Sequence, residues 1–81
     1  MPPPIRYRSV KAEELRSMLF AAGFRAIGSR RKRGSHQRLR HPDGRTVTFY
    51  FHKGVTVGPT QVKRLLADKA KLTEDEIRAI L

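Results

Sequence analysis

An alternating segment after a turn motif constrains the fold of this chain more than any other feature. Apolar and polar residues alternate over residues 46–52, and a Pro-Asp-Gly motif occupies residues 42–44. Such alternation is typical of a β-strand with one buried face. We therefore predict a β-hairpin with arms at residues 35–41 and 45–52. The apolar residues that share one face of the second arm are Val47, Phe49 and Phe51.

The loop length of this hairpin decides which residues face the core. Leu39 is the only strongly apolar side chain of the first arm, so it should share the face of Val47. A three-residue loop with a left-handed glycine pairs His41 with Arg45 and satisfies this condition. A two-residue loop would place Leu39 on the opposite face. The pattern therefore favours the three-residue loop, and it leaves Gln37 leaning inward without an explanation.

The segment before the hairpin predicts a leader, a helix and a short strand. Consecutive prolines at 2–4 hold an extended conformation, so residues 1–8 should form a flexible leader outside the core. Ser9 is then the N-cap of a helix over about residues 10–22, which has apolar residues at helical spacing. Residues 24–27 could form the first strand.

Two further helices are predicted after the hairpin. Gly58 and Pro59 suit the N-cap and the first position of one helix, and Thr73 with Glu76 fits the capping box of a short last helix. The predicted fold class is therefore α+β. It is a two-layer αβββα sandwich with a short extra C-terminal helix, in a single domain over residues 9–81.

The charge of the chain restricts its partners. Lys and Arg number 18 against 7 Asp and Glu, which gives a formal net charge of +11 on 81 residues. A surface this basic favours a polyanionic partner, nucleic acid before membrane. The cations concentrate between residues 25 and 45, where Asp43 is the only acid. They are Arg25, Arg30, Arg31, Lys32, Arg33, Arg38, Arg40 and Arg45.

The composition also excludes several kinds of site. Cysteine is absent, which rules out disulfides, a thiolate nucleophile and cysteine-ligated metal sites. The three histidines and the scattered acids lack metal-ligand spacing, so we expect neither a metal nor a cofactor. No apolar run approaches the roughly 20 residues of a membrane-spanning helix, and none resembles a signal peptide. We therefore expect a soluble cytoplasmic protein that binds no membrane.

Histidine is the residue best suited to proton transfer, because its pKa lies near neutrality. In the predicted register His36 lies opposite Tyr50 and diagonal to His52, on the outer face of the hairpin. The two imidazoles either converge on one substrate or are ordinary surface residues. His41 faces inward beside the turn and should be structural, and Asp43 should stabilise the turn.

The residues around these histidines have two interpretations. The consecutive cations at 30–33 form either a solvated loop or a clamp for phosphates, and we favour the clamp. Tyr50 either stacks on a nucleobase or packs on the sheet. Ser35 is expected to orient His36 rather than to attack phosphate. The candidate nucleic-acid-binding residues are Arg30, Arg31, Lys32, Arg33, Arg38, Arg40, Tyr50 and Lys53.

Several short motifs occur in the order that one bacterial family shows. They are Ala22-Gly23-Phe24, Gly34-Ser35-His36, Arg40-His41-Pro42-Asp43-Gly44-Arg45, Phe51-His52-Lys53-Gly54 and Gly58-Pro59. In this order they resemble the HicA toxins of bacterial toxin–antitoxin systems, also called YcfA-like mRNA interferases. The resemblance covers about residues 10–81.

This resemblance implies a fold, an activity and a partner. It implies a double-stranded-RNA-binding-domain-like αβββα fold and ribosome-independent cleavage of mRNA. It also implies that His36 is the residue associated with catalysis and that a HicB-type antitoxin neutralises the toxin. We therefore expect an endoribonuclease that acts by general acid–base chemistry without metal, with His52 as a weaker second candidate for proton transfer. Two alternatives stay open: a non-catalytic RNA-binding module of the same fold, and a degenerate member that only binds an antitoxin.

Overall fold

The structure is a computed structural model, which describes residues 4–27 and 37–81. The strands are β1 (Val10–Lys11), β2 (Arg25–Ile27), β3 (Gln37–Arg40), β4 (Thr46–Phe49) and β5 (Thr56–Val57). The α-helices are α1 (Ala12–Ala21), α2 (Pro59–Lys63) and α3 (Glu74–Ile80), and a π-helix, Arg64–Lys69, continues α2. The predicted α+β class, αβββα with a short C-terminal helix, is confirmed.

The hairpin has the predicted three-residue loop. The His41 N–H donates to the Arg45 carbonyl (2.8 Å), and Leu39 is paired with Val47. Gly44 has a φ of 103°, in the left-handed region that glycine adopts without a steric penalty. Strand β2 completes an antiparallel sheet in the order β2-β3-β4. The register predicted from the alternation is therefore confirmed.

The strands are shorter than the sequence pattern predicts. Strand β4 ends at Phe49, so His52 follows the strand instead of ending it. The chain turns towards α1 here, because the Gly54 N–H donates to the Glu13 carboxylate (2.9 Å). Phe51 still packs against the core, as the alternation predicts. The predicted position of His52 within a strand is therefore wrong.

A small second sheet sets the beginning of α1. Strands β1 and β5 pair antiparallel, and the Ala12 N–H donates to the Val55 carbonyl (2.8 Å). The N–H of the first helical residue is thus hydrogen-bonded to a backbone carbonyl. The helix begins at Ala12 after Lys11, and the prediction of Ser9 as its N-cap is wrong.

The described N-terminal residues contact the core. Ile5 and Tyr7 are partly buried against it, so the prediction that residues 1–8 lie outside the core is wrong for these two. Their side chains gain free energy by leaving water. Burial, together with the nearby acids Glu74 and Asp68, raises the pKa of Tyr7.

The later helices begin as predicted. Gly58 is the N-cap of α2, with Pro59 in its first turn. The Thr73 hydroxyl accepts from the Glu76 N–H (3.1 Å) and the Glu76 carboxylate accepts from the Thr73 N–H (2.8 Å), which completes the capping box of α3. The π-helical continuation of α2 is not predicted by the apolar stripe.

The core lies between the helices and the inner face of the sheet. Among the described residues no polar or charged side chain is buried. Any polar site in this part of the chain therefore lies at the surface. The largest fully buried side chains are Phe24, Leu15, Leu19, Leu39, Leu66, Ile77, Val57 and Val62.

Candidate functional site

Part of the predicted site lies outside the described residues. This applies to Arg30, Arg31, Lys32, Arg33, Ser35 and His36. The structure places the other candidates on β3 and on the segment that joins β4 to β5. These are Arg38, Arg40, Tyr50, His52 and Lys53.

The outer face of the sheet carries two exposed arginines on β3. Arg40 is paired with Arg25 of β2, and Arg38 with Ile27. No acid within residues 4–27 and 37–81 forms an ion pair with Arg38 or Arg40. Neighbouring cations without a counter-charge repel one another, and a bound phosphate would relieve that repulsion. The outer face is therefore suited to an anion.

Arg25 belongs to the same face but has a structural role. Its guanidinium donates to the carbonyls of Phe20 (3.0 Å) and Phe24 (2.7 Å). Phe20 lies in the last turn of α1, where the helix dipole is negative and carbonyls lack helical partners. These hydrogen bonds hold the Arg25 side chain at the end of α1. Arg38 and Arg40 therefore provide the charge of the outer face.

Tyr50 follows β4 directly and exposes its ring. The residue is 45% exposed, and its ring stacks on that of Phe51 with centroids 4.5 Å apart. Phe51 in turn packs against the core. An exposed aromatic ring supported by a second ring is a suitable platform for a nucleobase. The prediction placed Tyr50 within the strand, which ends one residue earlier.

His52 and Lys53 lie in the turn before β5, and both are exposed. The Val55 N–H donates to the His52 carbonyl (3.1 Å), which closes the turn. The hydrogen bond from Gly54, with a smaller contribution from Lys53, lowers the pKa of Glu13. Ionised Glu13 therefore holds this turn at the beginning of α1.

His41 has the contacts of a structural residue, as predicted. Its Nε2 lies 3.0 Å from the Ala22 carbonyl oxygen, and its ring meets Phe24 edge-on with centroids 5.2 Å apart. Its Nδ1 accepts from the Asp43 backbone N–H (3.2 Å). The Asp43 carboxylate accepts from the backbone of Arg45 (3.0 Å) and so stabilises the turn, also as predicted. His41 therefore joins the hairpin turn to the end of α1.

Sequence reasoning missed the ion pair between Arg45 and Glu76. Arg45 donates to both carboxylate oxygens (3.1 and 3.3 Å) and to the Lys71 carbonyl (2.9 Å). Hydrogen bonds from Arg45 and then from Thr73 lower the pKa of Glu76 to about 2. The pair joins the hairpin turn to α3, so Arg45 is engaged within the fold. The two residues are 31 positions apart, and no local pattern could have indicated the contact.

The described ranges, 4–27 and 37–81, contain neither a metal-binding group nor a membrane-spanning helix. There, no three His, Cys, Asp or Glu side chains are grouped so that they could hold a metal ion. No helix in the same ranges is long and apolar enough to cross a membrane.

Comparison with known families decides the relationship of the chain. Residues 12–72 match the model of the family described as HicA toxin of bacterial toxin-antitoxin. The match covers about three-quarters of the chain. The chain belongs to the HicA toxin family. No curated protein is similar enough to count as a match.

The family match confirms the resemblance seen in the sequence motifs. The match extends from the beginning of α1 to Leu72. It therefore includes every candidate site residue of this HicA toxin that lies within the described ranges. Helix α3 lies beyond it and is joined to the matched part by the Arg45–Glu76 pair. Membership of a toxin–antitoxin family implies an antitoxin as partner.

Proposed function

We propose that this HicA-family toxin is an endoribonuclease that cleaves mRNA without metal and is neutralised by a HicB-type antitoxin in the cytoplasm. The family match over residues 12–72 carries the proposal. Arg38 and Arg40 support it, because they are exposed, form no ion pair with any described acid, and a nuclease must bind the phosphates of its substrate.

The chemistry needs one group to accept a proton and one to donate a proton. A base removes the proton of the 2′-hydroxyl, the 2′-oxygen bonds to the adjacent phosphorus, and the bond from phosphorus to the 5′-oxygen breaks. An acid donates a proton to the departing 5′-oxygen, which leaves a 2′,3′-cyclic phosphate and a 5′-hydroxyl. Histidine suits both roles near neutral pH. We assign His36 to one of them.

The residue that follows His36 in the sequence is anchored to α1. Gln37 opens β3, and its side-chain oxygen accepts from Nε of Arg16 (2.8 Å). The Arg16 guanidinium also lies over the ring of Phe20, 4.6 Å from its centroid. Gln37 is therefore tied to α1, which explains its inward position.

The other candidates have supporting roles in the proposal. His52 is the second proton-transfer group, and its turn is held to α1 through Gly54. Tyr50 stacks on a base, and Ser35 orients His36. The phosphate and the negative charge that develops on it would be bound by Arg30, Arg31, Lys32, Arg33, Arg38, Arg40 and Lys53.

Cleavage of single-stranded RNA by the purified protein in EDTA tests the proposal. We expect the wild type to produce 2′,3′-cyclic phosphate ends and His36→Ala to cleave at least about 100-fold more slowly. His52→Ala, which alters the second candidate for proton transfer, should reduce the rate less. Thermal unfolding of each variant checks that the fold is retained.

Two results would contradict the enzymatic proposal. If the wild type and His36→Ala leave the RNA equally intact, the chain is not this kind of nuclease. Salt-sensitive RNA binding by both proteins, without cleavage by either, would instead support the non-catalytic RNA-binding module.

A further inference from the structure

A groove runs between the edge of β4 and the helix formed by α2 and its π-helical continuation. Three cavities of about 300, 450 and 320 Å³ form it, and they adjoin because they share Thr46, Tyr50 and Lys69 among their lining residues. We call it the β4–α2 groove. Its main polar lining residues are Thr46, Thr48, Tyr50, Gln61, Arg64 and Lys69.

The strand side of the groove is a sheet edge. The hydrogen bond from His41 to Arg45 makes these two a bonded pair, and bonded pairs alternate along an antiparallel ladder. The backbone groups of Thr46 and Thr48 therefore point away from β3 and towards the groove. Within the described ranges no strand pairs with this edge of β4. The edge offers hydrogen-bond donors and acceptors to a ligand.

The helix side of the groove concentrates positive charge. Five residues advance about 1.4 turns along an α-helix, which would separate Arg64 from Lys69 around the axis. The wider π spacing, seen where Ala70 donates to the Leu65 carbonyl (2.8 Å), brings them closer to the same face. Both line the groove, together with the acid Asp68.

Lys71 adds a third cation at the far end of the groove. It lines the cavity next to Lys69 and has a φ of 55°. A residue other than glycine is uncommon in this left-handed region and carries a conformational cost. The groove thus presents three cations along its helix side, and the exposed ring of Tyr50 lines two of its adjoining cavities.

We propose that single-stranded RNA binds along the β4–α2 groove. A base stacks on Tyr50, and the phosphates that follow lie against Arg64, Lys69 and Lys71. The inference rests on the proposed function, because Tyr50 belongs both to the candidate site and to the groove. It extends the path of the RNA from the outer face of the sheet to α2. The supported aromatic ring and the row of cations favour RNA over an acidic protein, because a nucleic acid presents bases and phosphates side by side.

Salt-dependent binding of an uncleavable RNA tests the inference. The probe is a fluorescein-labelled 2′-O-methyl oligonucleotide of about 12 nucleotides, a length that spans a typical single-strand site. Its binding to the full chain is followed by fluorescence anisotropy over a range of salt concentrations. The groove variant is Arg64→Gln with Lys69→Gln. The matched control is Arg6→Gln with Lys63→Gln, which removes the same charges from exposed positions outside the groove lining.

Log affinity falls with log salt, and each phosphate contact on a single strand contributes about 0.7 to the steepness of this fall. We therefore expect the groove variant to have a slope that is less steep by about 1.4. The control should keep the wild-type slope. Tyr50→Ala should weaken binding about tenfold through lost stacking, and Tyr50→Phe should restore it. All four substituted cations are exposed, so these variants should keep the fold.

The outcomes separate this inference from the proposed function. If the wild type binds RNA with a steep salt dependence and the groove variant has the same slope, the groove is not an RNA site, although the proposed function stands. If the groove variant keeps the wild-type salt slope for RNA but binds an acidic antitoxin more weakly than the wild type does, the groove is a protein site and the inference is overturned. If the wild type binds no RNA at all, both proposals fail.

Discussion

Replacing Gly23 by alanine should destabilise this fold more than the same replacement at Gly44. Both glycines have positive φ, 110° and 103°, a region that alanine enters at a cost of about 1–2 kcal/mol. At Gly44 nothing lies within 4 Å of the added Cβ, so the backbone strain is the whole cost. At Gly23 the added Cβ would lie 2.7 Å from Nε2 and 3.0 Å from Cδ2 of His41.

The contacts of His41 give the size of the difference. To admit the new Cβ, the imidazole must leave the Ala22 carbonyl and the edge of Phe24. A hydrogen bond contributes about 1 kcal/mol net, and an aromatic contact about 0.5–1.5 kcal/mol. Gly23→Ala should therefore cost about 1.5–2.5 kcal/mol more than Gly44→Ala. In a domain of this size that corresponds to a Tm difference of about 6–20 °C.

Thermal unfolding followed by far-UV circular dichroism measures this difference. The wild type and both single variants are compared with His41→Ala, alone and combined with Gly23→Ala, as a double-mutant cycle. Without the imidazole, Gly23→Ala should cost only the strain seen at Gly44. The reasoning is refuted if both glycines cost the same in the wild type, or if the extra cost at Gly23 persists after His41 is removed.

Two further predictions concern Lys71 and Glu76. Lys71→Gly should relieve the left-handed strain and raise the free energy of unfolding in urea by about 0.5–1 kcal/mol, whereas Lys71→Ala should not; equal effects would argue against strain. Folding lowers the pKa of Glu76 from 4.5 to about 2, so the unfolded chain binds this proton first and stability should fall as the pH drops from about 4.5 towards 2. The free energy of unfolding in urea, measured at several pH values, should decline less in Glu76→Gln than in the wild type, whereas Glu74→Gln should keep the wild-type decline. An unchanged decline in Glu76→Gln would show that the pair with Arg45 does not cause the loss of stability.

The parts of the fold that local patterns determine could be predicted from the sequence. The register of the hairpin follows from Leu39, Val47 and the left-handed Gly44, because a one-residue shift would turn an apolar side chain to water. The start of α3 follows from the spacing of Thr73 and Glu76 alone. Each of these signals lies within a few residues of the structure that it specifies.

The rest depends on contacts between distant segments. Strands β1 and β5 have two residues each, too few for any periodicity, and their pairing moves the N-cap of α1 from Ser9 to Lys11. The hydrogen bond between Gly54 and Glu13 draws the chain out of the sheet before His52. For the same reason the β4–α2 groove was not predicted: it joins Tyr50 to Arg64 and Lys69 across the fold, and the π-helical turn has no sequence signature here.

We propose above all that His36 makes the chain a toxic ribonuclease. Induced expression in a bacterial host without the antitoxin tests it most directly, with growth and the integrity of total mRNA followed in the same culture. We predict that the wild type stops growth and fragments mRNA, and that His36→Ala, present at an equal level, does neither. Normal growth with intact mRNA on wild-type expression, or arrest by His36→Ala as strong as that by the wild type, would contradict the account.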